Sequence, residues 1–126
     1  MRILKTRWFT RFARQERIAD AGLREAIARV ERGLVDADLG GGLIKQRVAR
    51  QGQGRSGGYR AIVAYRAKDR AVFLFGFAKS ERENINTDEL VFLRELAKNW
   101  LAADAVKIRM EIEIGNLQEI DDDEEA

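Results

Sequence analysis

The clearest periodicity in the chain runs from position 20 to 34, where Leu23, Ile27, Val30 and Leu34 recur at spacings of 4, 3 and 4. Ala26 falls on the same stripe, and Arg24, Glu25, Arg29, Glu31 and Arg32 occupy the other side. The pattern predicts an amphipathic helix whose charges, Arg29 among them, form a solvated face together with Arg14 and Arg17 upstream. Asp20 reads as its N-cap and Gly33 as its stop signal. A second helix is predicted to start at Thr87 as N-cap, with Asp88 and Glu89 in the first turn, where negative charge suits the dipole. Its stripe is Leu90, Leu93, Leu96, Ala97 and Leu101, and no capping box is expected because Leu90 stands three residues after Thr87.

Between these helices the period drops to two. Leu43–Ala49 sets Lys45 and Arg47 on one face and Ile44, Gln46 and Val48 on the other. Tyr59–Arg66 and Ala71–Ala78 read as two further strands, joined at hairpin length by residues 67–70. The last of them is apolar on both faces, as a covered central strand requires. An antiparallel meander is the economical arrangement, and the fold class is α+β. Upstream, Arg2–Arg7 starts a short strand, and Thr6 or Thr10 offers an N-cap for a helical turn holding Phe9, Phe12 and Ala13. Trp8, Phe9, Phe12 and Trp100 are expected in the core, and Gly40-Gly41-Gly42 ends the helical part. Val106, Ile108, Met110, Ile112 and Ile114 alternate with Lys107, Arg109, Glu111 and Glu113, which is strand periodicity in a segment still open between strand and helix.

Composition narrows the chemistry. With 126 residues, the chain suffices for one domain. Its longest apolar run, Ala71–Ala78, falls far short of the roughly 20 residues that span a bilayer. There is no cysteine and no histidine, which excludes disulfides, thiolate nucleophiles, Cys- or His-ligated metals and the usual His general base. Charge is divided: residues 1–82 carry 19 Lys and Arg against 8 Asp and Glu, whereas residues 83–126 carry 4 against 13. A basic body with an acidic end implies a polyanionic partner such as nucleic acid. Asp121–Glu125 reads as a solvating, disordered run, or as a segment that folds back on the cations and restrains them. The Arg-rich start contains Trp8, Phe9 and Phe12 and belongs to the fold, so a cytoplasmic protein is expected.

The meander concentrates cations. Lys45 and Arg47 share a strand face, Arg50 precedes and Arg55 lies within the glycine-rich loop Gln51–Gly58, Arg60 opens the next strand, and Lys79 and Arg82 leave the third. Gly52, Gly54, Gly57 and Gly58 allow a loop to approach a phosphate closely with its N–H groups. Tyr59 and Tyr65 either stack on bases or pack in the sheet.

The run GGLIKQRVARQGQGRSGGYRAIVAYR, Gly41 to Arg66, followed by VFLFGFAKSERENI, Val72 to Ile85, resembles the RelE/ParE superfamily of type II toxins, closest to a RelE/HigB-like branch. The resemblance covers residues 1–103 as a toxin domain and leaves 104–126 as a C-terminal extension with an acidic end. It implies N-terminal helices packed on a twisted antiparallel sheet of three to four strands, with a C-terminal helix. It also implies a ribosome-dependent mRNA endonuclease, neutralised by a helix-turn-helix antitoxin, in which the ribose 2′-OH attacks the adjacent phosphate. No cofactor or metal is implied. On that pattern Arg47, Arg60 and Arg82 stabilise charge, because a guanidinium suits phosphate oxygens and is a poor base. Lys45 and Lys79 are the acid–base candidates, since neighbouring cations disfavour a lysine's charged form. Arg50, Arg55, Tyr59, Gly57 and Gly58 are the substrate-binding candidates. The sequence departs from the family in having no histidine and no tyrosine after Tyr65. The alternatives are a ParE-like gyrase-inhibiting module and a nucleic-acid-binding regulator or inactive toxin of the same fold.

Overall fold

The computed structural model describes residues 1–50 and 54–120. Its centre is one mixed sheet of β1 (Arg2–Thr6), β2 (Ala37–Gly40), β3 (Leu43–Arg50), β4 (Gly54–Arg66), β5 (Arg70–Ala78) and β6 (Leu117–Ile120). The spatial order is β2-β3-β4-β5-β1-β6. Helices α1 (Arg7–Glu16) and α2 (Asp20–Glu31) cover one face, and α3 (Thr87–Ala102) and α4 (Ala105–Glu113) cover the other. The class is α+β as expected, with a larger sheet than three to four strands.

The β3–β4–β5 meander is antiparallel, as the alternation predicts. The sheet as a whole is not, because β1 enters it parallel to β5, with Ile3 opposite Ala71. Parallel neighbours need a covered crossover, and the helices after β1 supply one. Strands β2 and β6 escape a sequence reading because four residues are too few to show a period. The Gly40–Gly42 triplet therefore turns a β2–β3 hairpin instead of closing a helical region. Its glycines all have positive φ (85°, 65° and 83°), and a Cβ on Gly42 would lie 2.7 Å from a Leu101 methyl.

Alternation along β3 to β5 feeds two cores. Ile44, Val48, Ala61, Val63 and Phe73 pack with Phe9, Leu23, Ile27 and Val30 beneath α1 and α2. Leu43, Ile62, Ala64, Val72 and Phe77 pack with Leu93, Ala97 and Ile108 beneath α3 and α4. Phe9 is fully buried, and Phe12 and Trp100 are partly so. Trp8 is not a core residue: at 42% exposure it lies against Phe12 and Phe75 from outside. Arg29 departs from the expected solvated face as well, since it is buried with its guanidinium on Glu25 and the Arg47 carbonyl.

Two helix starts depart from the sequence expectation, and the segment left open between strand and helix proves to be a helix. Ala19 is the N-cap of α2, while Asp20 lies in the first turn and accepts from the buried Lys5 ammonium at 2.9 Å. Asn86, not Thr87, caps α3, and the register one residue earlier makes Glu89 the third residue and completes a capping box. Residues 105–113 are helix, with Asp104 accepting from the Lys107 N–H at 2.8 Å. On a helix, the alternation splits into two opposed stripes. Ile108 and Ile112 face the core, and Val106, Met110 and Ile114 are exposed, so a helix with two apolar sides mimics a strand. No described helix is long and apolar enough to cross a membrane.

Candidate nucleic-acid interface

Register builds the site. Arg47 of β3 stands opposite Arg60 of β4, Lys45 opposite Ile62, and Arg60 opposite Phe77 of β5. Ile62 and Phe77 belong to the core under α3, so Lys45, Arg47 and Arg60 share that sheet face. Lys45 and Arg47 sit two residues apart, a separation of about 7 Å along a strand.

The three cations differ in environment. The Arg47 side chain is 48% exposed and the Arg60 side chain 8%, and both lean on Asp36. Asp36 Oδ1 lies 3.0 Å from Arg47 Nε, and Oδ2 lies 3.8 Å from Arg60 Nε. Arg60 also donates to the Tyr59 carbonyl at 3.3 Å. Lys45 Nζ reaches Asn84 Oδ1 at 3.5 Å, which ties β3 to the segment after β5.

That segment folds back because the Glu81 and Arg82 N–H groups donate to the Ala78 carbonyl. Arg82 then lies over the Phe77 ring, 5.4 Å from its centroid, and donates to the Asn84 carbonyl. Its terminal nitrogens donate to both oxygens of Glu89, at 2.6 and 3.1 Å. This clamp raises the Arg82 pKa and holds the Glu89 carboxyl below the usual carboxylate range, first through its hydrogen bonds with Arg82 and then through that of Asn86. Arg82 is thus an anchor between the returning segment and the start of α3. Lys79 extends the β4–β5 ladder by one step, its N–H donating to the Gly58 carbonyl at 3.1 Å. Among the described residues its ammonium has no hydrogen-bond or ion-pair partner.

The remaining candidates fall elsewhere. Tyr59 is buried on the opposite face, where its hydroxyl donates to Glu16 at 3.0 Å and its ring meets Phe12 edge-on, so it presents no ring to a base on the cation face. Gly57 and Gly58 lie on β4, which begins at Gly54 and takes up much of the stretch read as a loop. Arg50 is paired with Gly54 across the hairpin, and Arg55 follows on β4. The rest of that stretch, positions 51–53, lies outside the described residues, as does the acidic run Asp121–Glu125. The described chain ends at Ile120 in β6, the sheet edge farthest from β2 and β3.

Asp36 and Asn84 were not among the sequence candidates. Asn84 lies inside the Val72–Ile85 run that carries the resemblance, whereas the signal for Asp36 is register: once Ala37 pairs with Lys45, the preceding residue falls beside Gln46 and Arg47. A cavity of about 300 Å³ opens there, lined by Asp36, Gln46 and Arg47 among others. An apolar groove of about 550 Å³, walled by Trp8, Phe75, Phe92 and Trp100, is lined by none of the five candidate catalytic cations. Among the described residues no three carboxylates converge as metal ligands would.

A family model described as the RelE toxin of the RelE/RelB toxin–antitoxin system matches residues 1–120. No curated protein matches the chain.

Proposed function

We propose that this chain, which belongs to the RelE toxin family and so is the toxin of a toxin–antitoxin pair, is a metal-independent endoribonuclease that cleaves mRNA on the ribosome. The observation that carries the reading is the convergence of Lys45, Arg47 and Arg60 on one sheet face, in a fold of that family. In the reaction the ribose 2′-oxygen attacks the adjacent phosphorus, its proton passes to a base, and the 5′-oxygen leaves with a proton from an acid. The products are a 2′,3′-cyclic phosphate and a 5′-hydroxyl. The extra negative charge on phosphorus needs cations fixed before the reaction, because a preformed site does not reorganise as charge develops.

Arg47 and Arg60 suit that charge, since each offers a planar fork to phosphate oxygens. Lys45 and Lys79 suit proton transfer: neither ammonium is tied to a carboxylate, whereas Arg47, Arg60 and Arg82 all are. Arg82 serves by positioning. Its clamp to Glu89 sets the segment that carries Lys79 and Asn84 relative to β3. The partners of this reading are the ribosome, mRNA and the cognate antitoxin. The test is to incubate purified chain with programmed ribosomes and analyse the ends formed. A fragment with a 5′-hydroxyl, matched by an upstream 2′,3′-cyclic phosphate, is the expected result. No cleavage, together with inhibition of a topoisomerase, would move the chain to the gyrase-inhibiting class.

A further inference from the structure

A buried cation requires an anion, and among the described residues Asp36 is the carboxylate that Arg60 meets. Its two oxygens divide between two guanidiniums, Oδ1 to Arg47 and Oδ2 to Arg60, the pattern in which two nonbridging oxygens of one phosphate would divide. The Arg60 half of this bridge is loose, because 3.8 Å lies beyond hydrogen-bond distance. The frame around it is tight. The Asp36 N–H donates to Gln46 Oε1 at 2.9 Å, and Gln46 Nε2 donates to the carbonyls of Ala26 and Leu34. Gln46 is 1% exposed, and Arg29 holds the Arg47 carbonyl from α2. A fixed backbone thus presents a carboxylate held firmly by Arg47 and only loosely by Arg60, at an opening that solvent reaches from the Arg47 side.

We propose that Asp36 is a built-in competitor for the RNA phosphate: in the free protein its carboxylate occupies the anion position between Arg47 and Arg60, and substrate binds by displacing it. This rests on the reading of those arginines as an RNA site. Asp36 is a positioning residue here, holding two cations in register until substrate arrives. It also weakens non-specific RNA binding, since every phosphate must first replace an anion already in place.

The experiment is thermal unfolding of the full chain, titrated with inorganic phosphate against chloride at constant ionic strength. Wild type, Asp36→Asn and the double variant Asp36→Asn/Arg60→Gln are compared. Asp36→Asn should bind phosphate about tenfold more tightly than wild type, equivalent to about 1.4 kcal/mol, and Arg60→Gln should erase the gain. For a single-stranded RNA oligonucleotide, the slope of log affinity against log salt should steepen by about 0.7, one additional phosphate neutralised. An equal phosphate response in wild type and Asp36→Asn, or a gain that survives Arg60→Gln, overturns the proposal. If Asp36→Asn fails to fold in chloride, phosphate should restore its cooperative transition, and no restoration overturns the proposal too. The phosphate readout needs no cleavage. A chain that cuts no transcript yet shows the Asp36-dependent response loses the nuclease reading and keeps this one, and the converse result does the reverse.

Discussion

The two faces of the β3–β4 hairpin are built from alternate residues of the same strands and serve opposite ends. On the α2 side, Ile44, Val48, Ala61 and Val63 are buried against helix, and the polar Gln46 has each of its amide atoms satisfied by backbone. On the α3 side, Leu43, Ile62 and Ala64 are equally buried, but Lys45, Arg47 and Arg60 bring charge beyond them. A fully packed face tolerates no ionised group without partners, whereas the cation face keeps Arg47 half in water and shares one carboxylate between two arginines. The pleat lets one face secure the fold while the other presents charge, so substitutions only one position apart should act on different properties.

The sharpest way to break that contrast is in the closed face. Phe73 is fully buried against Phe9, with ring centroids 5.0 Å apart. Phe73→Ala should cost about 3–5 kcal/mol in urea unfolding, while RNA cleavage by the protein that remains folded is retained. Lys45→Ala tests the other face. Cleavage should fall about 100-fold or more, the scale of a lost general acid or base, with unfolding shifted by less than about 0.5 kcal/mol. Glu89→Gln should act between these two. It removes the charge of the Arg82 clamp and one of its two acceptor oxygens, while the amide oxygen still accepts from the Asn86 N–H in the α3 capping box, so hydrogen exchange should quicken across residues 79–86 and cleavage should drop several-fold.

The smallest effect concerns pH. The Arg2 guanidinium hydrogen-bonds both oxygens of Glu119 and holds that carboxyl below its usual range, pinning β6 to β1. A carboxyl lowered in the folded state adds stability that is complete above its unfolded pKa and disappears as pH falls through the folded value. Glu119→Gln should therefore cost at most about 1 kcal/mol at neutral pH, a partly exposed pair being well screened. The acid limb of its unfolding curve should be shallower than that of wild type.

Much of this architecture was legible because periods of 2 and 3.6 report burial on one face. The β3–β4–β5 meander and the stripe of α2 followed from that alone. Where both sides of an element are apolar, the signal is ambiguous: Val106 to Ile114 shows strand periodicity on a helix, because the outer stripe of α4 is as apolar as the inner one. The cations Lys45, Arg47 and Arg60 were also legible, since they alternate with core residues on strands that pair. Asp36 was hidden by β2, whose four residues carry no period of their own, and Arg82 became an anchor only when Glu89 was brought against it by the fold. Tyr59 shows the limit of reading residue type without face: one position from Arg60, it points to the other core.

The most direct test of the central claim, that the cation face acts on RNA, is primer extension on cellular mRNA after expressing wild type or Lys45→Ala, each with and without the cognate antitoxin. Discrete new 5′ ends with wild type, absent with Lys45→Ala and suppressed by the antitoxin, are the predicted result. The same ends from folded Lys45→Ala protein would contradict it.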